Sequence, residues 1–330
     1  MINPFKIDIE DKDEYTNEDY IRIQKLLDEK SVDDALTKIY PTKDNFYEYN
    51  DFKKRCSRGI TQKLIDVSNN IFPTKNLYKI GTGGNNKNCI VCCTSINHNP
   101  VELSDVSDQK NSRYNASQSI KESLENVGFN GHFYLFNGGF PNPTGKEMKY
   151  AGVPYCFKIF MMLEAKKKGF ENVIWIDSAC IAIKNPNKLF EIIEESTLLL
   201  SFIYRDNQYN RMAFEKTLDL LNCLTDTVIN SDTNYITTVV FGLNFNNEAV
   251  NNFIKDYYLM VELGAPFLSI FPEEIVISAL FNKPEYKRLL NEKQSDDIIG
   301  VLKADENVMS LETAKERGYW FFQRNYKNFI

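Results

Sequence analysis

Apolar runs and amphipathic stretches alternate along most of this chain. The run Cys89-Ile90-Val91-Cys92-Cys93-Thr94-Ser95-Ile96 predicts a strand over about 88–96, GHFYLF a second at 131–136, and Val173-Ile174-Trp175-Ile176 a third that ends at Asp177. LLLSFI at 198–203 and a β-branched run at 236–245 predict two more. Between them the spacing predicts helices near 115–127, from Pro154 to about Lys168, and near 187–195, with two further helices near 247–262 and 273–281. The helix at 154–168 carries Cys156, Phe157, Phe160, Met161 and Ala165 as a stripe that would pack on a sheet. Strands alternating with helices predict an α/β fold whose mostly parallel sheet is covered by helices.

Residues 1–80 read differently. They are rich in charge and Asn, and Ile23, Leu26 and Leu27, then Val32, Ala35, Leu36 and Ile39, fall at helical spacings, with Ser31 placed to cap the second segment. The expectation is a helical N-terminal appendage at 1–80 and a main domain at 88–330. The segment Gly81-Thr-Gly-Gly-Asn-Asn-Lys87 marks the boundary between them. Its glycines precede an apolar run, whereas a dinucleotide fingerprint has them follow a strand and open a helix. No period recurs along the chain, which argues against a solenoid.

Composition narrows the function. A length of 330 residues with 43% hydrophobic content suits one large domain with an appendage, and a formal charge of −6 argues against a nucleic-acid partner. The sequence holds no transmembrane-length apolar run, and its start is acidic, so the expected location is the cytoplasm. The seven cysteines, Cys56, Cys89, Cys92, Cys93, Cys156, Cys180 and Cys223, are odd in number and mostly in apolar contexts, which suits reduced thiols. Cys89 and Cys92 form a CxxC inside a strand with no second pair, so neither zinc nor thioredoxin chemistry follows.

The strand ending at Asp177 is the first place to look for chemistry, because open α/β sheets bind ligands beyond the carboxyl ends of their strands. Haloacid-dehalogenase-type phosphatases would need a second Asp where Ala179 stands. A dinucleotide enzyme would need the glycine-rich turn that is missing in the right order.

The block YCFKIFMMLEAKKKGFENVIWIDSACIAIKNPNKLF, Tyr155 to Phe190, resembles the central segment of GT-A-fold glycosyltransferases. In that segment an aromatic and basic helix leads to a strand ending Asp-x-Asp, then a short apolar strand and a Pro-x-x-Leu-Phe helix start. The resemblance implies a GT-A-like (Rossmann-like) fold. It also implies a glycosyltransferase that moves a sugar from a nucleotide-sugar donor, UDP-sugar favoured, to an unknown hydroxyl on a glycan or protein acceptor. A non-catalytic sugar-nucleotide or glycan-binding protein of the same fold is the alternative.

In the family motif the first Asp contacts ribose or sugar and the last ligates a divalent metal. Here the motif reads Asp177-Ser178-Ala179, and a methyl group cannot coordinate Mn²⁺ or Mg²⁺. The only histidines, His98 and His132, lie far from the C-terminus, where some relatives supply a ligand. No metal site is therefore expected, and basic side chains must offset the charge of the diphosphate leaving group. Candidates are Arg113, Lys158, Arg205, Arg211, Arg324 and Lys327. Lys158 interrupts an apolar helix face beside the motif strand, and Arg324 belongs to the aromatic tail Gly318-Tyr-Trp-Phe-Phe-Gln-Arg-Asn-Tyr326, which either closes over a nucleotide or packs on the core.

The remaining donor-binding candidates are Thr94 and Ser95 at the end of the first strand, Arg113 and Tyr114 in the loop after it, Ser178 of the motif, and Gly242, where a backbone can approach a ligand closely. Glu273 and Glu274, together with Asp177, are the catalytic candidates, since an inverting transferase needs a carboxylate base. The same Pro272-Glu273-Glu274 sequence also suits an ordinary helix start.

Overall fold

The computed structural model describes residues 3–12, 15–29, 74–94, 118–137, 145–153, 155–202, 213–229, 233–269, 271–290, 304–305 and 309–324. Its strands are β1 (Thr74–Ile80), β2 (Asn88–Thr94), β3 (Gly131–Asn137), β4 (Asn172–Ile176), β5 (Cys180–Ala182), β6 (Leu198–Phe202), β7 (Ile236–Asn244), β8 (Ala304–Asp305) and β9 (Phe321–Gln323). The helices are α1 (Asn17–Asp28), α2 (118–126), α3 (Phe157–Lys167), α4 (Asn187–Ser196), α5 (Glu215–Thr225), α6 (Glu248–Leu263), α7 (Pro272–Phe281), α8 (Pro284–Lys287) and α9 (Leu311–Glu316).

The main sheet has the order β1-β3-β2-β4-β7-β6. β2 runs parallel to both β3 and β4, whereas β1 opposes β3 and β7 opposes both β4 and β6. Four strands, β3, β2, β4 and β6, therefore point one way, as the alternating pattern predicts. Both faces of the sheet are buried, which is why its central strands read as continuous apolar runs.

The period of two in each strand splits these runs between two cores. Cys89, Val91, Val173, Trp175 and Phe241 face α3, α6 and α7, in one cluster with Phe160, Phe253 and Ile275. Ile90, Cys92, Ile174, Ile176 and Val240 face α2 and α4, in a second cluster with Leu124, Leu189 and Ile193. The CxxC pair is thus divided, Cys89 to one face and Cys92 to the other. All six described cysteines are thiols.

α3 is buried beyond its expected stripe: Ile159 and Met162 are enclosed as well. A helix apolar all round must be covered on its outer side too. Phe5, Tyr150 and Val153 join its core, so the N-terminal segment and the 3-10 turn Gly145–Tyr150 are part of that cover.

The boundary expected near residue 80 falls within the main sheet. β1 lies within 1–80 yet pairs along its whole length with β3, and the glycine segment 81–87 joins two strands of one sheet. Gly81, Gly83 and Gly84 all have positive φ, and a Cβ on Gly84 would sit 2.1 Å from the Asn130 carbonyl oxygen, so this is a built turn.

Nor do residues 3–29 stand apart. Asn3 Nδ2 donates to the Val261 and Glu262 carbonyls at the end of α6, at 2.8 and 2.9 Å. Ile7, Ile9, Tyr15 and Ile23 pack on Met148 and Ala151. The helix expected around Ile23, Leu26 and Leu27 is α1, opened by a reciprocal Thr16–Asp19 cap. The second helical segment, with Ser31 and Val32 to Ile39, lies outside the described residues. Among the described residues no helix is long and apolar enough to cross a membrane.

Candidate functional site

β4 carries the chain to Asp177 at the carboxyl edge of the sheet. There the Asp177 N–H donates to the Val239 carbonyl at 2.8 Å, and its own carbonyl accepts from the Cys180 N–H at 2.9 Å. The second bond closes a turn over Ser178 and Ala179, both buried. The motif loop is therefore fixed at both ends before any side chain acts.

Trp175 and Asp177 are two residues apart in an extended chain and share a face. Trp175 Nε1 donates to Asp177 Oδ1 at 2.8 Å. α3 packs on the same face and brings Lys158 Nζ to the same oxygen, at 2.9 Å. The ammonium also meets Glu273 Oε1 from α7 at 2.7 Å and donates to the carbonyl and Oγ1 of Thr238 on β7, both at 3.2 Å. Thr238 Oγ1 in turn donates to Glu273 Oε1 at 3.0 Å.

The three charged groups differ sharply in exposure. The side chains of Lys158 and Glu273 are 5% and 7% exposed, that of Asp177 27%. Asp177 is thus the member through which the cluster meets solvent. Two carboxylates against one ammonium give it a formal charge of −1. Burial alone would lower the pKa of Lys158, but the charges of Asp177 and Glu273 and the hydrogen bonds to both outweigh it and hold the pKa above the ordinary lysine value. Lys158 is a permanent cation here.

Glu274 faces a different set of partners. Its Oε1 accepts from the Thr238 N–H at 3.0 Å and from Thr237 Oγ1 at 2.9 Å, and its Oε2 accepts from the Tyr235 hydroxyl at 3.1 Å. The residue is 8% exposed, and its carboxylate ties the start of α7 to β7. As a general base it would have to reach an acceptor hydroxyl, and these bonds hold it inside. Glu273 is equally enclosed and serves as counter-ion to Lys158.

The C-terminal tail returns to the motif. β9 pairs antiparallel with β5 and parallel with β8, forming a small second sheet, and the Arg324 N–H donates to the Ala179 carbonyl at 2.9 Å. Of the two fates open to this tail, the described part is packed: Trp320, Phe321 and Phe322 are buried. Arg324, which follows them, is only partly covered and stands beside the motif loop.

The other candidates named from the sequence separate. Lys158, named as a donor-binding candidate, has its ammonium enclosed and in contact with Asp177, Glu273 and Thr238. Gly242 pairs with Ile174, deeper in the sheet than the Asp177 end, and a Cβ there would sit 2.5 Å from Ile193 Cδ1. Its smallness makes room for Ile193 of α4. Thr94 is the last residue of β2, beside Asn137 of β3. Ser95, Arg113, Tyr114, Arg205, Arg211, Lys327 and His98 lie outside the described residues.

Sequence reasoning missed Trp175 and Thr238. Both carried a signal: an indole N–H buried in a central strand needs an acceptor, and Thr237-Thr238 interrupts an apolar strand with hydroxyls.

A divalent cation fits these residues poorly. Asp177 Oδ1 is already taken by two donors, the neighbouring ammonium would repel a second cation, and Ala179 offers a buried methyl. Among the described residues no group of three or more His, Cys, Asp or Glu could hold a metal ion.

No protein-family model matches the sequence, and no curated protein does. Among solved structures the chain is similar to the bifunctional glycosyltransferase WbbM, with a TM-score of 0.40 and 10% identity, over 74% of this chain and 47% of that one. This chain thus spans about half the length of that protein. It is also similar to the galactosyltransferase LgtC solved with donor and acceptor sugar analogs, with a TM-score of 0.36 and 9% identity, over 72% and 86% of the two chains. A third is mouse xyloside xylosyltransferase 1, with a TM-score of 0.34 and 8% identity, over 72% and 97%. Likenesses this distant assign no family, and the chemistry of the site rests on its own residues.

Proposed function

We propose that this chain is a glycosyltransferase that takes a sugar from a nucleotide-sugar donor, a UDP-sugar by preference, and passes it to a hydroxyl acceptor without a divalent metal. The observation that carries the reading is Asp177. It stands at the carboxyl end of a central strand, with one oxygen held by Trp175 and Lys158 and the carboxylate still partly open to solvent. A carboxylate so oriented is pre-organised to accept hydrogen bonds from ribose or sugar hydroxyls.

In this reading the loss of the nucleoside diphosphate is stabilised by basic side chains, with Arg324 next to the motif loop as the described candidate. Lys158 supplies orientation to Asp177. Glu273 keeps Lys158 in place, and Glu274 fastens the helix that carries Glu273.

The test is thermal stabilisation and sugar release or transfer with purified protein and a panel of UDP-, GDP- and TDP-sugars. Stabilisation and turnover with at least one donor are expected, and the absence of both removes the proposal. Stabilisation without turnover in the presence of glycan and protein acceptors identifies the non-catalytic binding alternative.

A further inference from the structure

Gln323 lies at the Asp177 end of β9, directly opposite Cys180. Residues opposite each other in an antiparallel pair are about 5 Å apart at Cα and point to the same face. The flanking pairs fix which face this is. Cys180, and the pair Ala182 and Phe321, belong to the core under α2 and α4, whereas Ile181 and Phe322 pack on the opposite side with Ala314. The Gln323 side chain is therefore directed toward the main sheet, on the same side as Ile176, the residue before Asp177.

Gln323 Oε1 is enclosed and has no hydrogen-bond partner among the described residues, although the residue as a whole is partly exposed. An enclosed amide oxygen without a donor is unfavourable, and turning the amide over would only put its NH₂ group in the same position. Nothing in the packing of β9 calls for an amide here, since the other two residues of the strand are phenylalanines that bury fully. A ligand donor would satisfy the group. A ligand O–H or N–H that reaches the enclosed oxygen supplies the donor that the resting pose lacks.

We infer that Gln323 is a specificity-determining residue of the donor site, whose amide oxygen accepts a hydrogen bond from the nucleotide part of a nucleotide sugar on the α2 and α4 side of the sheet edge, across that edge from Asp177. The inference rests on the glycosyltransferase reading and deepens it. It commits to a nucleotide with a free O–H or N–H within reach of β9. The shared chemistry is a hydrogen-bond donor on ribose or base.

The experiment compares wild type with Gln323→Leu and Gln323→Glu by calorimetric titration of UDP, dUDP, GDP and TDP, alongside thermal unfolding of the free proteins. Gln323→Leu keeps the volume and removes the unsatisfied carbonyl. The expected result is opposed in sign: the free variant melts at the same or a higher temperature, while its affinity for the nucleotide that wild type binds best falls about tenfold. Gln323→Glu puts a negative charge in place of the amide, repels the anionic nucleotide and weakens it further. If the best ligand is UDP, loss for UDP but not for dUDP assigns the contact to the ribose 2′-hydroxyl, and equal loss assigns it to the base or the 3′-hydroxyl. Unchanged affinity in both variants overturns the inference while leaving the proposed function standing, and so does a lowered melting temperature with unchanged affinity. Failure of wild type to bind any of the four nucleotides would instead remove the functional reading itself.

Discussion

The ammonium of Lys158 lies 2.9 Å from Oδ1 of Asp177, although one belongs to a buried helix and the other to the exposed end of a strand. The contact joins the apolar core to the candidate site: any change in how α3 packs moves the carboxylate. It also makes Lys158 a residue whose loss is felt first as stability.

Replacing Lys158 with Met leaves Glu273 buried without its counter-ion, and such an uncompensated charge destabilises by about 3–5 kcal/mol. The double variant Lys158→Met with Glu273→Leu removes both charges and recovers most of this. Urea midpoints of the two single variants and the double variant check it. A sum of single effects that simply adds in the double variant contradicts the coupling. The pH dependence has a defined sign. Because the pKa of Lys158 is raised in the folded protein, its contribution is complete at every pH below the ordinary lysine value of 10.5 and is lost only as pH rises beyond it.

Asp177→Asn keeps the shape of the side chain and removes its charge. Turnover with the preferred donor is expected to fall about 10²–10³-fold, the scale seen when one pre-organised transition-state contact is lost. Steady-state kinetics beside circular dichroism separate this from unfolding. A variant with native spectra and wild-type kcat/KM removes Asp177 from the site.

Glu274→Gln puts an amide where three donors converge, so one N–H faces another donor. A loss of about 1–3 kcal/mol in unfolding free energy is expected, with kcat/KM of the folded protein within a few-fold of wild type. The opposite pattern, intact stability and collapsed turnover, would restore Glu274 as the base.

Gly242→Ala drives a methyl into Ile193 and Leu199. Overpacking of this kind costs about 1–3 kcal/mol, visible as a lower melting temperature. Nucleotide affinity is expected to stay unchanged, because the residue faces α4. A selective loss of affinity at unchanged stability would mean that Gly242 serves a ligand after all.

Much of this molecule is legible along the chain, as particular elements show. The run at 173–176 becomes β4 and stops at Asp177, and the β-branched run at 236–245 becomes β7 within a residue of its expected bounds. All five residues of the stripe expected at 154–168 are buried. Such features depend on neighbours within a turn or a pleat, and a period of 2 or 3.6 records them in the sequence directly. The sequence by itself determined the α/β class, the strands β2, β3, β4, β6 and β7 in their order, and the acid at the strand end.

What only the tertiary structure decided is which distant segments meet. That Glu273 closes on Lys158, that β9 comes back to β5 and sets Gln323 and Arg324 beside Ala179, and that β1 joins the sheet and not the appendage are all pairings between elements far apart in sequence. A local pattern says that a residue is buried, not against what. Lys158 looked like a cation for a phosphate because its helix face named the right neighbourhood. Packing of α7 against β7 turned it inward, and the charge that a ligand would meet is that of Asp177.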